Sequence, residues 1–338
     1  MKKRENIDYN RRGFVLSAAM TMGAVAYMPK VAFADSKLFP VSISHHFGET
    51  TINELPKRIV TLGWGGEDAL IALGTIPVGM PRYEQFDSGI LPWIEERLGA
   101  EKPVLLSQSI IDFEAIAVLK PDIILAVRTN ITSHDWKRLN SIAPTMAYRS
   151  GPLQADWQEI TLLAGECLGQ ADQAKKLIAE TKKYLHQLYT QNPVLDGRTF
   201  IFGSYFPGSN AIGVYFPDDL RVATLMELGL KVPLQIQALA TQNSGQIGTS
   251  ISFEKLEDIE TDLLILWFPP GGKEDAERQP LFQRFAPVQA GGFIAVDDPI
   301  SMWVTSNPSV LSIPYGYAAF IDLLVEAAEK SSATGIVP

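Results

Sequence analysis

Along the stretch Gln170 to Gln191, QADQAKKLIAETKKYLHQLYTQ, the apolar residues fall at Ala174, Leu177, Ile178, Leu185 and Leu188, the spacing of one helix face. Lys175, Lys176, Lys182 and Lys183 take the wetter side, and Pro193 closes the run. A helix of that length spans roughly 33 Å, about the width of a small domain. The sequence on either side of it repeats itself. DFEAIAVLKPDIILAV (Asp112 to Val127) stands before it and SFEKLEDIETDLLILW (Ser252 to Trp267) after it. Aligned without a gap, the two match at Phe113/Phe253, Glu114/Glu254, Ile116/Leu256, Leu119/Ile259, Asp122/Asp262 and the apolar triplet that follows. Two copies of one α–β unit flanking a long helix predict two similar lobes joined by a strut.

The remaining pattern fills in the lobes. VSISHHFGETTINELP alternates in the manner of an edge hairpin. Arg58 to Leu62 reads as a buried strand, Gly63 to Gly66 as a turn, Glu67 to Leu73 as a helix and Val78 to Met80 as a strand. Such a β–α–β unit makes a parallel pair. Helices are predicted over Leu91 to Leu98, Phe113 to Leu119, His134 to Ile142 and Asp156 to Leu168, and strands over Asp122 to Val127 and Thr145 to Tyr148. Pro121 and Gly169 mark breaks. Beyond the strut, GRTFIFGSY echoes KRIVTLGW, and ATLMELGLKVP echoes ALIALGTIPVG. NAIGVYFPDD suits a hairpin arm, Thr241 to Thr249 a polar loop, Leu281 to Phe285 a helix and Phe293 to Val296 a strand. An amphipathic helix from Ser312–Pro314 to about Lys330 ends the series. The expected class is α/β: two three-layer, Rossmann-like lobes with mostly parallel sheets, joined by one long helix, with a ligand cleft between them. The first lobe is expected over 35–154, connecting helices over 155–192 with the strut at 170–191, and the second lobe over 193–338.

Composition supports two lobes with full cores: 338 residues, 46% hydrophobic and 20% charged. Residues 1–34 differ. They carry a basic start, the pair Arg11-Arg12, an apolar run from Val15 to Met28 and an Ala32-Phe33-Ala34 cleavage pattern. The run is shorter than the ~20 residues a membrane span needs, so a twin-arginine signal peptide is expected. That segment holds six basic residues against two acidic ones, so its removal takes the net charge from −9 to −13. So acidic a chain is poorly suited to nucleic acid or an anionic membrane. The one cysteine, Cys167, lies far from the cleavage pattern. No disulfide and no lipobox cysteine are therefore expected, and the mature protein is expected to be free and monomeric in a periplasm.

Candidate chemistry follows from the strands, because open α/β sheets bind ligands outside their carboxyl ends. The first lobe offers Trp64, Arg82, Tyr83, Arg128, Tyr148 and Arg149 there; the second offers Tyr205, Phe206, Trp267 and Trp303. Any one of these tryptophans reads equally well as a packing residue. The recurrence in both lobes is what points to a ligand, and aromatic faces with guanidinium forks suit a flat, anionic, oxygen-rich one. His45, His46, His134 and His186 leave the second lobe without a histidine. No directly bound metal and no resident cofactor are expected. The sequence holds no G-x-S-x-G elbow, Walker loop or H-E-x-x-H, and no catalytic residue is expected. Glu114 and Glu254 each follow a helix-capping residue, Asp112 or Ser252, where a negative charge suits the helix dipole. Their recurrence at one place in both copies also suits docking onto a basic, symmetric partner.

By these features the chain resembles the periplasmic substrate-binding proteins of ABC importers for ferric siderophores, in the class with a single connecting helix. The resemblance runs from about His45 to Lys330. It is carried by HHFGETTI, PKRIVTLGWGGEDALIALGTIPVGM, DFEAIAVLKPDIILA, LNSIAPTMAY, YFPDDLRVATLMELGLKVP and NPSVLSIPY. It implies that Glu114 and Glu254 contact arginines of an ABC permease dimer at the inner membrane. It also implies that Trp64, Arg82, Arg128, Tyr205, Trp267 and Trp303 are nearest to an iron chelate, and that lobe closure is restricted. Relatives binding cobalamin or haem share the architecture, and a periplasmic enzyme on a two-lobed scaffold is the alternative from another class.

Overall fold

A computed structural model describes residues 38–333. The expected signal peptide, with Arg11-Arg12 and the Ala32–Ala34 pattern, lies outside them. The alternation of the opening segment makes strands β1 (Val41–His45) and β2 (Gly48–Ile52), an antiparallel hairpin with Ile43 and Ile52 turned inward. Then come β3 (Ile59–Gly63), α1 (Gly66–Ala72), β4 (Gly79–Pro81), α2 (Pro92–Leu98), β5 (Val104–Leu106), α3 (Phe113–Val118), β6 (Ile123–Arg128), α4 (Ser133–Ile142) and β7 (Thr145–Ala147). Strands β3 to β7 form an all-parallel sheet in the order β5-β4-β3-β6-β7. A strand covered on both faces needs an unbroken apolar run, and every residue of β6, IILAVR, is buried.

Helix α5 (Trp157–Cys167) leads into the strut, α6 (Ala171–Gln191), whose 21 residues extend ~32 Å. Gly165 lets the two helices touch, since a Cβ there would strike Ala174. The second lobe follows with β8 (Phe200–Ser204), β9 (Ala211–Tyr215), α7 (Leu220–Met226), α8 (Leu234–Gln242), β10 (Gly248–Ser252), α9 (Phe253–Leu256) and β11 (Leu263–Trp267). It ends with α10 (Gly272–Glu277), α11 (Pro280–Arg284), α12 (Ala286–Ala290), β12 (Phe293–Val296), α13 (Pro299–Ser306) and α14 (Ser312–Ala333). The sheet order is β10-β9-β8-β11-β12. Strands β8, β11 and β12 are parallel, and β9 and β10 fold back antiparallel at one edge.

That edge departs from the sequence expectation. NAIGVY is the expected hairpin arm, β9 antiparallel to β8, but it lies inside the sheet, with β10 hydrogen-bonded to its other side. The expected loop at 241–249 contains the end of α8 and the start of β10. Strand β10 is a half-wet edge in which only Ile251 is buried, so it lacks the alternating pattern that marks a strand. Because β9 takes the flank of β8 that β4 takes beside β3, the KVP segment keeps one bridge, Lys231 to Thr199, and forms no strand.

The lobes share more than the strut. One apolar core fills the first lobe and takes in α5 and Ala174 of the strut, while the other runs through the second and across to Leu91, Trp93 and Ile94 around α2. The Trp93 ring lies 5.4 Å from that of Tyr315 on α14. Among the described residues no helix is long and apolar enough to cross a membrane.

Candidate functional site

Strand β3 ends in a turn that only glycine permits. Gly63 has φ +80°, and a Cβ there would collide with the Arg128 carbonyl of the neighbouring strand. The turn, closed by Gly65 at φ +82°, carries Trp64 over the carboxyl ends of β3 and β6. The Trp64 indole N–H donates to Gln108 Oε1 at 2.9 Å, and the Gln108 amide donates to the Arg82 carbonyl at 2.6 Å, which holds the half-buried ring in place. Below it opens a cavity of about 270 Å³, lined by Trp64, Gln108, Ile110, Arg128, Thr129 and Asn130 among others. All of its walls come from the first lobe, at the ends of β3 to β6, where a parallel sheet places a ligand.

Arg128 forms the link to the other lobe. Only 1% of it is exposed; one Nη donates to the Ala155 carbonyl at 2.8 Å, and the other lies 3.8 Å from Asp219 of the second lobe. Its Nε–H has no protein hydrogen-bond partner. Burial lowers the guanidinium pKa to about 10, with Asp219 pulling the other way, so the group is charged at neutral pH. Asp219 is also gripped by Arg221, whose Nε and Nη2 donate to its two oxygens at 2.6 and 2.7 Å. The face of Arg221 lies 3.4 Å over the Tyr215 ring. Tyr215 in turn accepts the indole N–H of Trp267 at 2.7 Å, and Phe206, 56% exposed, meets Trp267 edge-on at 5.3 Å. A chain of contacts thus runs from the cavity to the tip of the second lobe.

Trp303 of α13 meets Trp64 edge-on at 5.7 Å and Tyr83 at 4.7 Å, and its N–H donates to Gln85 at 3.1 Å. The structure therefore gathers Trp64, Trp303 and Arg128 at the junction of the lobes, and Trp267 and Phe206 at the second tip. Other strand-end residues are placed differently. Tyr83, Tyr148 and Tyr205 are wholly buried. Their hydroxyls donate to Glu67, to the Ile131 carbonyl at 3.2 Å, and to Asp275 at 2.7 Å, respectively. Arg149 points back to the hairpin, donating to the Ser44 carbonyl at 3.1 Å and pairing with Glu166. Arg82 is half-exposed and pairs with Glu84 at 3.1 Å. These tyrosines follow their strands directly and turn into the packed layer, which strand position alone does not reveal.

Sequence reasoning missed Gln108, Asp219, Arg221 and Tyr215. The signal for two of them was present in PDDLR, a helix-capping aspartate two residues before an arginine. It also missed a buried acid pair at the start of α1. Asp68 accepts from the Trp93 indole at 2.7 Å and from the Ser309 hydroxyl of the second lobe, while Glu67 accepts from Tyr83. Burial raises both carboxyl pKa values above their ordinary range, and the charge of Asp68 raises that of Glu67 further.

Glu114 and Glu254 are both exposed, each in the first turn of its helix, α3 or α9. Asp112 caps α3 by accepting from the Ala115 N–H at 2.9 Å. Ser252 makes no such bond; it ends β10, paired with Ala211. His45 lies in the hairpin, its Nε2 2.9 Å from the Thr50 hydroxyl, and the His46 ring packs on Tyr148 at 5.2 Å. Among the described residues no three His, Cys, Asp or Glu side chains converge as a metal site.

Comparison with known proteins gives this geometry a context. The chain is 27% identical over 279 residues to the probable siderophore-binding lipoprotein YfiY of Bacillus subtilis, covering 79% of this chain and 82% of that one. It is 25% identical over 250 residues to the Fe(3+)-citrate-binding protein YfmC of the same organism, covering 72% and 74%. Among solved structures it is similar to PiaA of Streptococcus pneumoniae in complex with ferrichrome, with a TM-score of 0.79 and 28% identity, over 86% of this chain and 99% of that one. The model of the family described as periplasmic binding protein matches residues 59–300. That match spans well over half of the sequence, and the two-lobed fold agrees with it: the chain belongs to the periplasmic binding protein family.

Proposed function

We propose that the protein captures a ferric siderophore in the periplasm and delivers it to an ABC permease at the inner membrane. One observation carries the reading: the strand ends converge on a cavity edged by Trp64, which Trp303 of the second lobe braces, with Arg128 in its wall and the Trp267–Phe206 tip beyond. Aromatic faces around a few fixed polar groups form a recognition surface for a preformed ligand. The probable siderophore-binding lipoprotein YfiY and ferrichrome-bound PiaA are consistent with that class of cargo. The cavity of about 270 Å³ is just below the 300–1,000 Å³ usual for a small-molecule site, so it takes the inner part of a larger chelate whose remainder faces the second lobe. Iron arrives wrapped, and the protein holds the shell.

Delivery rests on Glu114 and Glu254. Each is an exposed carboxylate on the helix that precedes the second central strand of its lobe, β6 or β11, a pseudo-symmetric pair suited to two basic permease subunits. The basic start, the arginine pair and the apolar run of residues 1–34 support export by the twin-arginine route and action in the periplasm.

Native mass spectrometry of the mature chain with ferrichrome, ferric citrate, haem and cobalamin tests the reading. One equivalent of a ferric siderophore, released unaltered on unfolding, is the expected result. Preference for haem or cobalamin replaces the cargo, and release of a cleaved product moves the protein to the enzymes.

A further inference from the structure

The sequence suggests guanidinium forks open to an anionic ligand. The structure shows those forks already engaged. Arg82 is paired with Glu84, Arg149 with Glu166, and Arg128 and Arg221 share Asp219. The face of Arg221 is also covered by Tyr215. Of the cavity's own walls, Arg128 and Asp112 are the charged members. Together with Asp219 and Arg221 behind them, two guanidiniums stand against two carboxylates, leaving no net charge. What stays open is aromatic surface at Trp64, Trp267 and Phe206 and the exposed amide of Asn130, while the unpartnered Nε–H of Arg128 is buried in the cavity wall.

Resting on the reading of this site as a siderophore receptor, we infer that its cargo is a chelate of little or no net charge, of the trihydroxamate class, and that Asp219 sets this preference. Three hydroxamates, each a monoanion, balance ferric iron and give a neutral complex with carbonyl-like oxygens. Three catecholates give a trianion, and citrate-type chelates carry unbalanced carboxylates. A neutral complex needs one donor to an oxygen and apolar faces for its ring, which the site supplies. A trianion needs free cationic forks, and each fork here would have to abandon a carboxylate first. Asp219 controls that balance because it is fully buried between two guanidiniums from two different elements, β6 and the start of α7. Without its charge both arginines are left uncompensated beside the cavity, a site built for anions.

The test is a binding panel on the mature protein and on Asp219→Asn, with ferrichrome, ferric dicitrate and a ferric tris-catecholate as probes. The wild type is expected to bind ferrichrome at least ~100-fold more tightly than either anionic chelate, with an affinity nearly independent of salt. Asp219→Asn is expected to narrow that ratio about tenfold and to make the anionic chelates' binding salt-dependent. If the variant does not fold, the wild-type ranking decides. An anionic chelate bound as tightly as ferrichrome by the wild type overturns the inference while leaving the siderophore reading in place. A folded variant with an unchanged ratio removes Asp219 as the determinant. Binding of haem or cobalamin but of no ferric chelate removes the reading and the inference together.

Discussion

Asp122 and Asp262, matched positions of the internal repeat, do the same work in the two lobes. Asp122 Oδ2 accepts the backbone N–H groups of Lys57 and Arg58 at 2.7 and 2.9 Å, just ahead of β3. Asp262 Oδ2 accepts the N–H and hydroxyl of Thr199 at 2.7 and 2.8 Å, just ahead of β8, and its Oδ1 meets Arg198 at 3.1 Å. Each carboxylate thereby ties the start of one central strand to the start of its parallel neighbour. Hydrogen bonds to a charged acceptor are worth about 1.5–3 kcal/mol when sheltered and less when exposed. Asp262 is the more sheltered, so Asp262→Ala is expected to cost about 2 kcal/mol and Asp122→Ala about 1 kcal/mol. Thermal melts of the two variants check this; a larger drop for Asp122→Ala would contradict it.

How much of this was legible depended on whether a residue's role is local. The strut, the repeat, the central strands and the Gly63–Gly66 turn follow from periodicity and glycine chemistry, and β12 lies at Phe293–Val296 as expected. Strand β10 and the docking of β9 were not legible, because a wet edge strand has no alternation and its partner is chosen by the sheet. Trp64 and Arg128 were singled out because they stand at the ends of central strands, and both line the cavity. Asp219 and Arg221 were missed, although only two residues apart, because they act on Arg128, some ninety residues away and in the other lobe. Tyr148 and Tyr205 show the reverse error, strand-end aromatics whose hydroxyls are spent inside the fold.

Trp64 is held by Gln108 and braced by Trp303, yet remains only half-buried. An aromatic contact contributes about 0.5–1.5 kcal/mol beyond area burial. With the lost area added, Trp64→Ala is expected to weaken chelate binding at least tenfold. Trp64→Phe keeps a ring but drops the bond to Gln108 and should fall between. Isothermal titration of both variants provides the measurement, and unchanged affinity in Trp64→Ala would place the ligand elsewhere.

The two exposed glutamates are expected to matter only after capture. Glu114→Lys combined with Glu254→Lys should abolish uptake of radiolabelled ferric chelate by cells while leaving affinity in solution within about twofold, since surface charges outside the cavity are screened. A parallel loss of affinity would assign these residues to the binding site or the fold.

Glu67 and Asp68 make stability fall toward alkaline pH. Both carboxyls have folded-state pKa values raised by burial, so the folded chain holds protons that the unfolded chain has released. Stability from this source is fully present below the ordinary carboxylate range and is lost as pH rises through the raised values. Glu67→Gln can keep the Tyr83 hydrogen bond without the charge, so its urea midpoint should depend less on pH between about 5 and 9 than that of the wild type. A variant whose pH dependence equals the wild type's would show that Glu67 does not titrate in this way.

Capture of an intact iron chelate is most directly measured by intrinsic tryptophan fluorescence, since Trp64 lines the cavity, Trp303 packs against it and Trp267 stands at the second tip. The mature protein is titrated separately with a ferric siderophore and with a ferric salt, and the bound chelate is then recovered. Saturable quenching at one equivalent of the siderophore, none with the salt, and return of the chelate unchanged are the expected results. Quenching by the bare salt alone, or recovery of an altered chelate, would contradict a receptor that grips the shell and leaves the chemistry to others.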